Sequence, residues 1–140
     1  MQQKKVSSPD TAVLDKLRAS GLRPTRQRLA LAKLLFARGH CHVTAEGLFN
    51  EAKQSRVDVS LATVYNALHD FTAKGLLREI SIDSSSSYFD TNTEDHHHFY
   101  FEDTGALQDI PPDSVRISQL PDAPGSAAIS RVDVIIRVKH

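Results

Sequence analysis

Cysteine is almost absent from this sequence, since Cys41 is the only one among 140 residues. A lone cysteine cannot form an intramolecular disulfide, and it excludes a structural zinc site built on pairs of cysteines. We therefore expect the fold to be stabilised by packing, and we expect no structural zinc. Cys41 lies between two histidines, and we interpret its thiol as buried or inert rather than reactive.

Long apolar runs are also missing, and none approaches the roughly 20 residues that span a bilayer. The first ten residues, MQQKKVSSPD, contain two lysines but no apolar segment, unlike a signal peptide or an anchor. The sequence contains no Gly-rich phosphate loop, nucleophile elbow or HExxH motif. It therefore predicts a cytoplasmic protein that has no membrane partner and is not an enzyme.

The formal net charge of zero conceals an asymmetry along the chain. Residues 1–80 contain 13 Lys and Arg against 7 Asp and Glu, whereas residues 81–140 contain 4 against 10. The two halves thus carry charges of +6 and −6. A basic half is typical of nucleic-acid binding, and an acidic half with histidines suits cations.

Helical periodicity predicts four helices in the basic half. The first covers about residues 10–20, and the other three begin after the N-cap residues Thr25, Thr44 and Ser60. In the fourth helix Val64, Leu68 and Phe71 form an apolar stripe. The β-favouring stretches LLREISI and SYFDT then flank the polar turn DSSSS, which predicts a hairpin. Helices followed by a hairpin indicate a winged helix-turn-helix.

Strand patterns dominate the acidic half. HFYFED, ALQDI and RVDVIIRV are predicted strands, VRI at 115–117 can add a short one, and the proline-rich segment between them leaves little room for a long helix. An edge strand in such a layer often pairs with its twin in a second copy. We therefore predict a mixed α+β fold, with a winged helix-turn-helix over 1–92 and a small α/β dimerisation domain over 93–140.

The outer face of the predicted fourth helix is suited to reading DNA. Ala62, Tyr65, Asn66 and His69 share this face, which is a poor solubilising surface. Asn66 can make a bidentate contact to adenine, and the Tyr65 ring can lie against a thymine methyl. Phosphate or minor-groove contacts are predicted for Arg23, Arg26, Arg28, Ser60 and Thr63. The alternative is a helical bundle whose polar face only contacts water.

The run Asp95-His96-His97-His98 is the second candidate site. On a strand, His96 and His98 point to one face and His97 to the other. Imidazoles on one face suit Zn²⁺, Fe²⁺ or Mn²⁺, and they also suit the axial positions of haem iron. A mixed N/O shell, which favours iron or manganese, could be completed by His42, Asp90 and Asp109. An exposed polar strand is the alternative.

These motifs together resemble the ferric uptake regulator family. The segments GLRPTRQRLALAKLL, HVTAEGLF and VSLATVYNALHDFTAKGLL, then HHH with a glycine about seven residues on, follow that family's order and spacing. The resemblance covers about residues 14–110 and returns in the last strand. It implies a dimeric regulator of double-stranded DNA with metal bound at a hinge. The ligands it implies are His42, Asp90, His96, His98 and Asp109, and a second site would use His97, with Asp95 and Asp133.

Three departures from the family pattern indicate its iron response regulator branch. The usual pair of CxxC motifs is missing, since Phe101 and Thr104 occupy the first pair's positions, and the proline-rich segment is short. Asn66 stands where many members carry arginine. The branch is associated with haem at the HxH cluster, with loss of DNA binding when haem is available, and with control of haem synthesis and iron uptake genes.

Three hypotheses about function stay open on the sequence. In the first, a homodimer binds a palindromic AT-rich operator and haem at residues 96–98 weakens binding. In the second, Fe(II) or Mn(II) at the same ligands is the co-repressor and strengthens binding. In the third, the protein carries metal or haem and does not act on DNA.

Overall fold

The computed structural model describes residues 9–84 and 86–140. It divides into two compact units, with the boundary between Thr93 and Glu94. We call them unit 1 and unit 2 and describe each by itself. Ser85, within the predicted hairpin turn, lies outside the described residues.

Unit 1 contains the four predicted helices. Their bounds are α1 Pro9–Ala19, α2 Arg26–Phe36, α3 Ala45–Gln54 and α4 Leu61–Ala73. The three predicted N-caps are confirmed, because each hydroxyl accepts a backbone N–H of the first turn: Thr25 from Arg28, Thr44 from Gly47 and Ser60 from Thr63. Each cap satisfies one of the donors that have no partner within the helix.

A three-stranded antiparallel sheet completes unit 1. The predicted hairpin is confirmed as β2 Arg78–Asp83 and β3 Ser86–Asp90, and β3 also pairs with β1, His42–Val43, in the order β1-β3-β2. The sequence analysis missed β1, since two residues are too few to show an alternating pattern. Its pairing sets His42 opposite Asp90.

The hydrophobic core of unit 1 is built mainly from its helices. Val64, Leu68 and Phe71 have no exposed surface, which confirms the predicted stripe of α4. Phe71 also meets Phe36 of α2 edge to face, with ring centroids 5.9 Å apart. None of the helices in the described part of the chain is long and apolar enough to cross a membrane.

Unit 2 is a small three-stranded sheet. Its strands are β4 His97–Phe101, β5 Leu107–Ile110 and β6 Ile135–Val138, in the order β5-β4-β6. β4 pairs with β5 antiparallel and with β6 parallel. The three predicted strands are confirmed, although the last is shorter than RVDVIIRV. The possible strand at 115–117 is not formed, and prolines on both sides of it deprive the neighbouring backbone of donors.

Large apolar side chains remain exposed in unit 2. Ile117, Leu120 and Ile129 are 41–49% exposed, and Ile136 of β6 is 38% exposed. Among the described residues of this unit, Ile110 is the only hydrophobic residue that is buried. Unit 2 therefore buries little apolar surface of its own.

Candidate DNA-reading face and metal ligands

The outer face of α4 is exposed, as the sequence predicted. Ala62, Tyr65, Asn66 and His69 all lie at the surface, while the opposite stripe of the helix is buried. Tyr65 is 37% exposed, which is high for so large a side chain. An aromatic ring, an amide and an imidazole are thus available to a partner along one helix face.

Tyr65 has a contact that the sequence analysis did not foresee. Its hydroxyl donates to Oε1 of Glu46 on α3 at 2.7 Å, and its ring stacks on His69. This hydrogen bond lowers the pKa of Glu46 and raises the pKa of Tyr65, because it favours the ionised acid and the neutral phenol. Residues 46 and 65 lie on different helices, so no periodicity within one helix could have predicted their contact.

The three arginines before and within the first turn of α2 differ in their contacts. Arg28 forms an ion pair of 2.8 Å with Asp70 of α4 and donates to the backbone carbonyl of Arg23 at 3.1 Å. The side chains of Arg23 and Arg26 are exposed. A cleft of about 390 Å³ lies here, lined by residues that include Arg23, Thr63 and Asn66. Arg28 thus joins α2 to α4, whereas Arg23 and Arg26 extend into solvent.

Two of the predicted metal ligands meet in unit 1. His42 Nε2 lies 3.1 Å from Asp90 Oδ2, as expected from their opposite positions on β1 and β3. The Asp90 side chain is 1% exposed, and its other oxygen accepts the backbone N–H of Asn92 at 2.8 Å. A buried carboxylate beside an imidazole is a favourable pair of ligands for a cation.

Three further predicted ligands converge in unit 2. Asp109 Oδ1 lies 3.3 Å from Nε2 of His96 and 3.3 Å from Nε2 of His98. The ligand atoms of these three residues all lie within 4.8 Å of one another. The sheet register explains the convergence, because β4 sets His98 opposite Asp109 of β5. Both histidines are buried.

The hydrogen bonding of His96 tests whether this triad fits a metal ion. Nδ1 of His96 is hydrogen-bonded to the carbonyl oxygen of Glu94, which can only accept, so Nδ1 carries a proton. The other ring nitrogen, Nε2, is the one that lies 3.3 Å from Asp109 Oδ1. A backbone carbonyl on the second ring nitrogen is the usual support of a metal-binding histidine. The triad therefore fits a divalent ion.

Comparison with known proteins identifies the family. The model of the Ferric uptake regulator family matches residues 19–125. The chain belongs to this family. The Peroxide-responsive repressor PerR of Staphylococcus aureus, strain Mu50, is 37% identical over 94 residues, which are 67% of this chain. The PerR of strain USA300 matches equally. The chain spans about 63% of the length of these curated relatives.

Solved structures of the same family share the fold. The ferric uptake regulator of Vibrio cholerae superposes with a TM-score of 0.71 at 21% identity, over 90% of this chain and 98% of that one. The regulator of Pseudomonas aeruginosa with manganese gives 0.68 at 24% identity, over 91% and 96%. These likenesses confirm the predicted mixed α+β fold with an N-terminal winged helix-turn-helix.

In this ferric uptake regulator family member, His97 lies on the other side of β4. It is half-buried, and its Nδ1 accepts the backbone N–H of Val134 at 3.1 Å. Asp95 is exposed, and Asp133 accepts from Arg131 at 2.8 Å. Among residues 9–84 and 86–140, the three proposed ligands of the second site do not form a close group of three.

Cys41 of this family member is half-buried and lies directly before β1. Its Sγ lies 3.6 Å from the carbonyl oxygen of Leu35, and its backbone N–H donates to the Thr91 hydroxyl at 2.9 Å. The residue thus fastens β1 to the end of β3 through its backbone.

Proposed function

We propose that this chain is a DNA-binding transcription regulator whose affinity for DNA depends on a bound metal ion. The observation that carries the proposal is the convergence of His96, His98 and Asp109 on one point, with a histidine tautomer suited to a metal. Membership of the Ferric uptake regulator family supports it. So do the relatives named as peroxide-responsive repressors.

Double-stranded DNA is the proposed partner of unit 1. The first 80 residues carry a formal charge of +6, and the exposed face of α4 offers Tyr65 and Asn66 to base edges. Arg23, Arg26, Ser60 and Thr63 are proposed to contact phosphates. The proposed operator is palindromic and AT-rich, because a twofold symmetric dimer matches two half-sites.

We propose that a second copy of the chain buries the exposed apolar residues of unit 2. The exposed apolar residues Ile117, Leu120, Ile129 and Ile136 belong to the unit that buries least. Burying them in a symmetric interface would supply apolar area that the isolated unit lacks. The proposal is therefore a homodimer in which residues 93–140 hold the two copies together and residues 1–92 bind DNA.

Fe(II) or Mn(II) is the proposed effector. The proposed ligands are His42 and Asp90 of unit 1 with His96, His98 and Asp109 of unit 2. All of them offer nitrogen or carboxylate oxygen, a set that suits these ions better than a thiophilic metal. When bound, the ion would supply positive charge beside the carboxylates and would accept the lone pairs of the histidine nitrogens. A second ion at His97, with Asp95 and Asp133, would need these side chains to move together, because they do not form a close group among the described residues.

Haem is the second candidate effector, and two neighbouring imidazoles are what favours it. The rings of His96 and His98 lie 4.4 Å apart between centroids, and imidazoles are axial ligands of haem iron. With haem as the effector, the chain would belong to the iron response regulator branch and would control genes of iron uptake and haem metabolism. The burial of both rings favours a small ion over a macrocycle, which needs an open face.

The test combines DNA selection with metal titration. Purified protein is used to select from a randomised library of double-stranded DNA, with Mn²⁺, with Fe²⁺, with haem or with a chelator. We expect a palindromic sequence to be enriched with one effector, and we expect His98→Ala and Asp109→Ala to lower metal affinity by at least about tenfold. Asp113→Ala, an exposed acid of the same unit, is the control.

Each alternative has its own result in this experiment. A Soret shift that is lost in His98→Ala, together with weaker DNA binding, would select haem. Metal binding without any enriched DNA sequence would make the protein a carrier. Unchanged metal affinity in both ligand variants would remove the triad from the proposal.

A further inference from the structure

The side chain of Tyr65 on α4 makes one contact through its hydroxyl and another through its ring. The hydroxyl donates to Glu46 at 2.7 Å. The ring stacks on His69, with centroids 6.3 Å apart and planes 18° apart, and His69 meets Phe89 of β3 edge on at 5.9 Å. The ring is thus placed by contacts with α3, α4 and β3 before any DNA binds.

The carboxylate that holds Tyr65 is itself anchored. Glu46 lies in the first turn of α3, where the helix dipole favours a negative charge. Its own backbone N–H also donates to the carboxylate. Glu46 is exposed, so the place of its carboxylate depends on these contacts and on the hydrogen bond from Tyr65.

This contact decides what the Tyr65 hydroxyl can still do. A phenol has one proton, and once it is donated to Glu46 the oxygen can only accept. A carboxylate is also only an acceptor, so the edge of the reading face has two acceptors side by side. In the major groove, adenine N6 and cytosine N4 offer protons to such groups, whereas guanine O6 and N7 are acceptors.

We propose that Glu46 sets the base preference of Tyr65 by holding its hydroxyl as an acceptor, so that the pair selects an exocyclic amino group and rejects guanine. This inference rests on the proposed function. Glu46 is a positioning residue here, since it acts on DNA through Tyr65. The Tyr65 ring remains free to contact a thymine methyl.

The experiment compares DNA selection by the wild type with selection by Glu46→Ala and Glu46→Gln. In Glu46→Ala the hydroxyl proton is released, so we expect about tenfold less discrimination against guanine at one base pair of each half-site. Non-specific affinity should rise, because a carboxylate near phosphates is gone. Glu46→Gln loses the same charge but keeps an oxygen that accepts from Tyr65, so it should retain the discrimination.

Tyr65→Phe provides a second route that leaves α3 untouched. It should lose the preference for an amino group to about the same extent as Glu46→Ala, and the double variant should lose no more than either single one. If Glu46→Ala does not fold, Glu46→Ser takes its place, because the shorter side chain also cannot reach the Tyr65 hydroxyl. Asp113→Ala controls for the loss of one exposed acid in unit 2.

The outcomes separate this inference from the proposed function. A wild type that enriches no sequence contradicts the proposed function. A wild type that enriches one, while Glu46→Ala and Tyr65→Phe enrich the same bases as strongly, overturns the inference alone. Equal loss in Glu46→Gln and Glu46→Ala also overturns it, since charge would then be the cause.

Discussion

The arginines around the start of α2 have different contacts, so they should contribute differently to DNA binding. Arg28 is engaged by Asp70 and by the carbonyl of Arg23, while Arg23 and Arg26 are exposed. We predict that Arg23→Ala and Arg26→Ala each reduce the slope of log affinity against log salt concentration by roughly 0.9, the contribution of one phosphate contact. Anisotropy titrations on one selected duplex measure the slope.

Arg28→Ala should change the slope of log affinity against log salt concentration only a little. The free energy of unfolding should fall by less than about 1 kcal/mol, because the ion pair of Arg28 with Asp70 is partly exposed. Asp70→Asn is the matched control and should have a similar effect on stability. A slope for Arg28→Ala as low as that of Arg23→Ala would show that Arg28 contacts phosphate instead.

The hydrogen bond between Tyr65 and Glu46 predicts a pH dependence. The pKa of Glu46 is lowered, so its contribution to stability is present above its unfolded pKa and is lost as pH falls through the folded pKa. The pKa of Tyr65 is raised, so its contribution is present below its unfolded pKa and is lost as pH rises through the folded one.

Phenolate absorbance measures the tyrosine side of this prediction. Titrating the wild type against Tyr65→Phe assigns the signal of Tyr65 among the three tyrosines. In Glu46→Ala the pKa of Tyr65 should return toward its ordinary value, because its hydrogen-bond acceptor is absent. A Tyr65 titration that is identical with and without Glu46 would mean that the bond does not form in solution.

Helices and their caps could be predicted from the sequence because they depend on neighbours along the chain. Ser60 as a cap and the stripe of Val64, Leu68 and Phe71 require only the helical period. The contact of Glu46 with Tyr65 and the two-residue strand β1 depend on tertiary packing, which no local pattern encodes. The strand period predicted that His96 and His98 share one face. Their contact with Asp109 depends on the register of β4 and β5, which the sequence pattern does not give.

The N-cap of α4 offers a test at the level of one helix. Ser60 Oγ accepts the backbone N–H of Thr63 at 3.1 Å. Ser60→Ala should lower the free energy of unfolding by about 1 kcal/mol, measured by urea denaturation. Ser60→Asp keeps the cap, so it should preserve stability, but its charge near the proposed phosphate contacts should weaken DNA binding. If Ser60→Ala is as stable as the wild type, α4 does not depend on this cap.

The division of apolar burial between the two units has a consequence for the whole chain. The core cluster runs from Val13 to Phe89 and lies wholly in unit 1, whereas unit 2 exposes several large apolar residues. We predict that a chain ending at Thr93 folds cooperatively. Residues 94–140 alone should be unfolded as a monomer, because so short a sheet buries too little apolar area.

Circular dichroism during thermal unfolding tests both fragments. The first should show a sigmoidal loss of helical signal, and the second should show no transition at low concentration. A monomeric fragment 94–140 with a cooperative transition would contradict the argument from burial. Ile136→Asp in the full chain should weaken self-association if unit 2 is covered by a second copy.

The short strand β1 connects a proposed metal ligand, His42, to the start of the helix that contacts Tyr65. His42 of β1 lies opposite Asp90 in the three-stranded sheet of unit 1. The strand is followed directly by Thr44, the N-cap of α3. Glu46 follows in the first turn of α3, and its carboxylate accepts the hydrogen bond of the Tyr65 hydroxyl. A backbone shift at His42 would reach Glu46 through Val43 and Ala45, which belong to the hydrophobic core. If a metal binds at His42 as proposed, we expect its occupancy to alter the base preference of Tyr65 as well as the affinity for DNA.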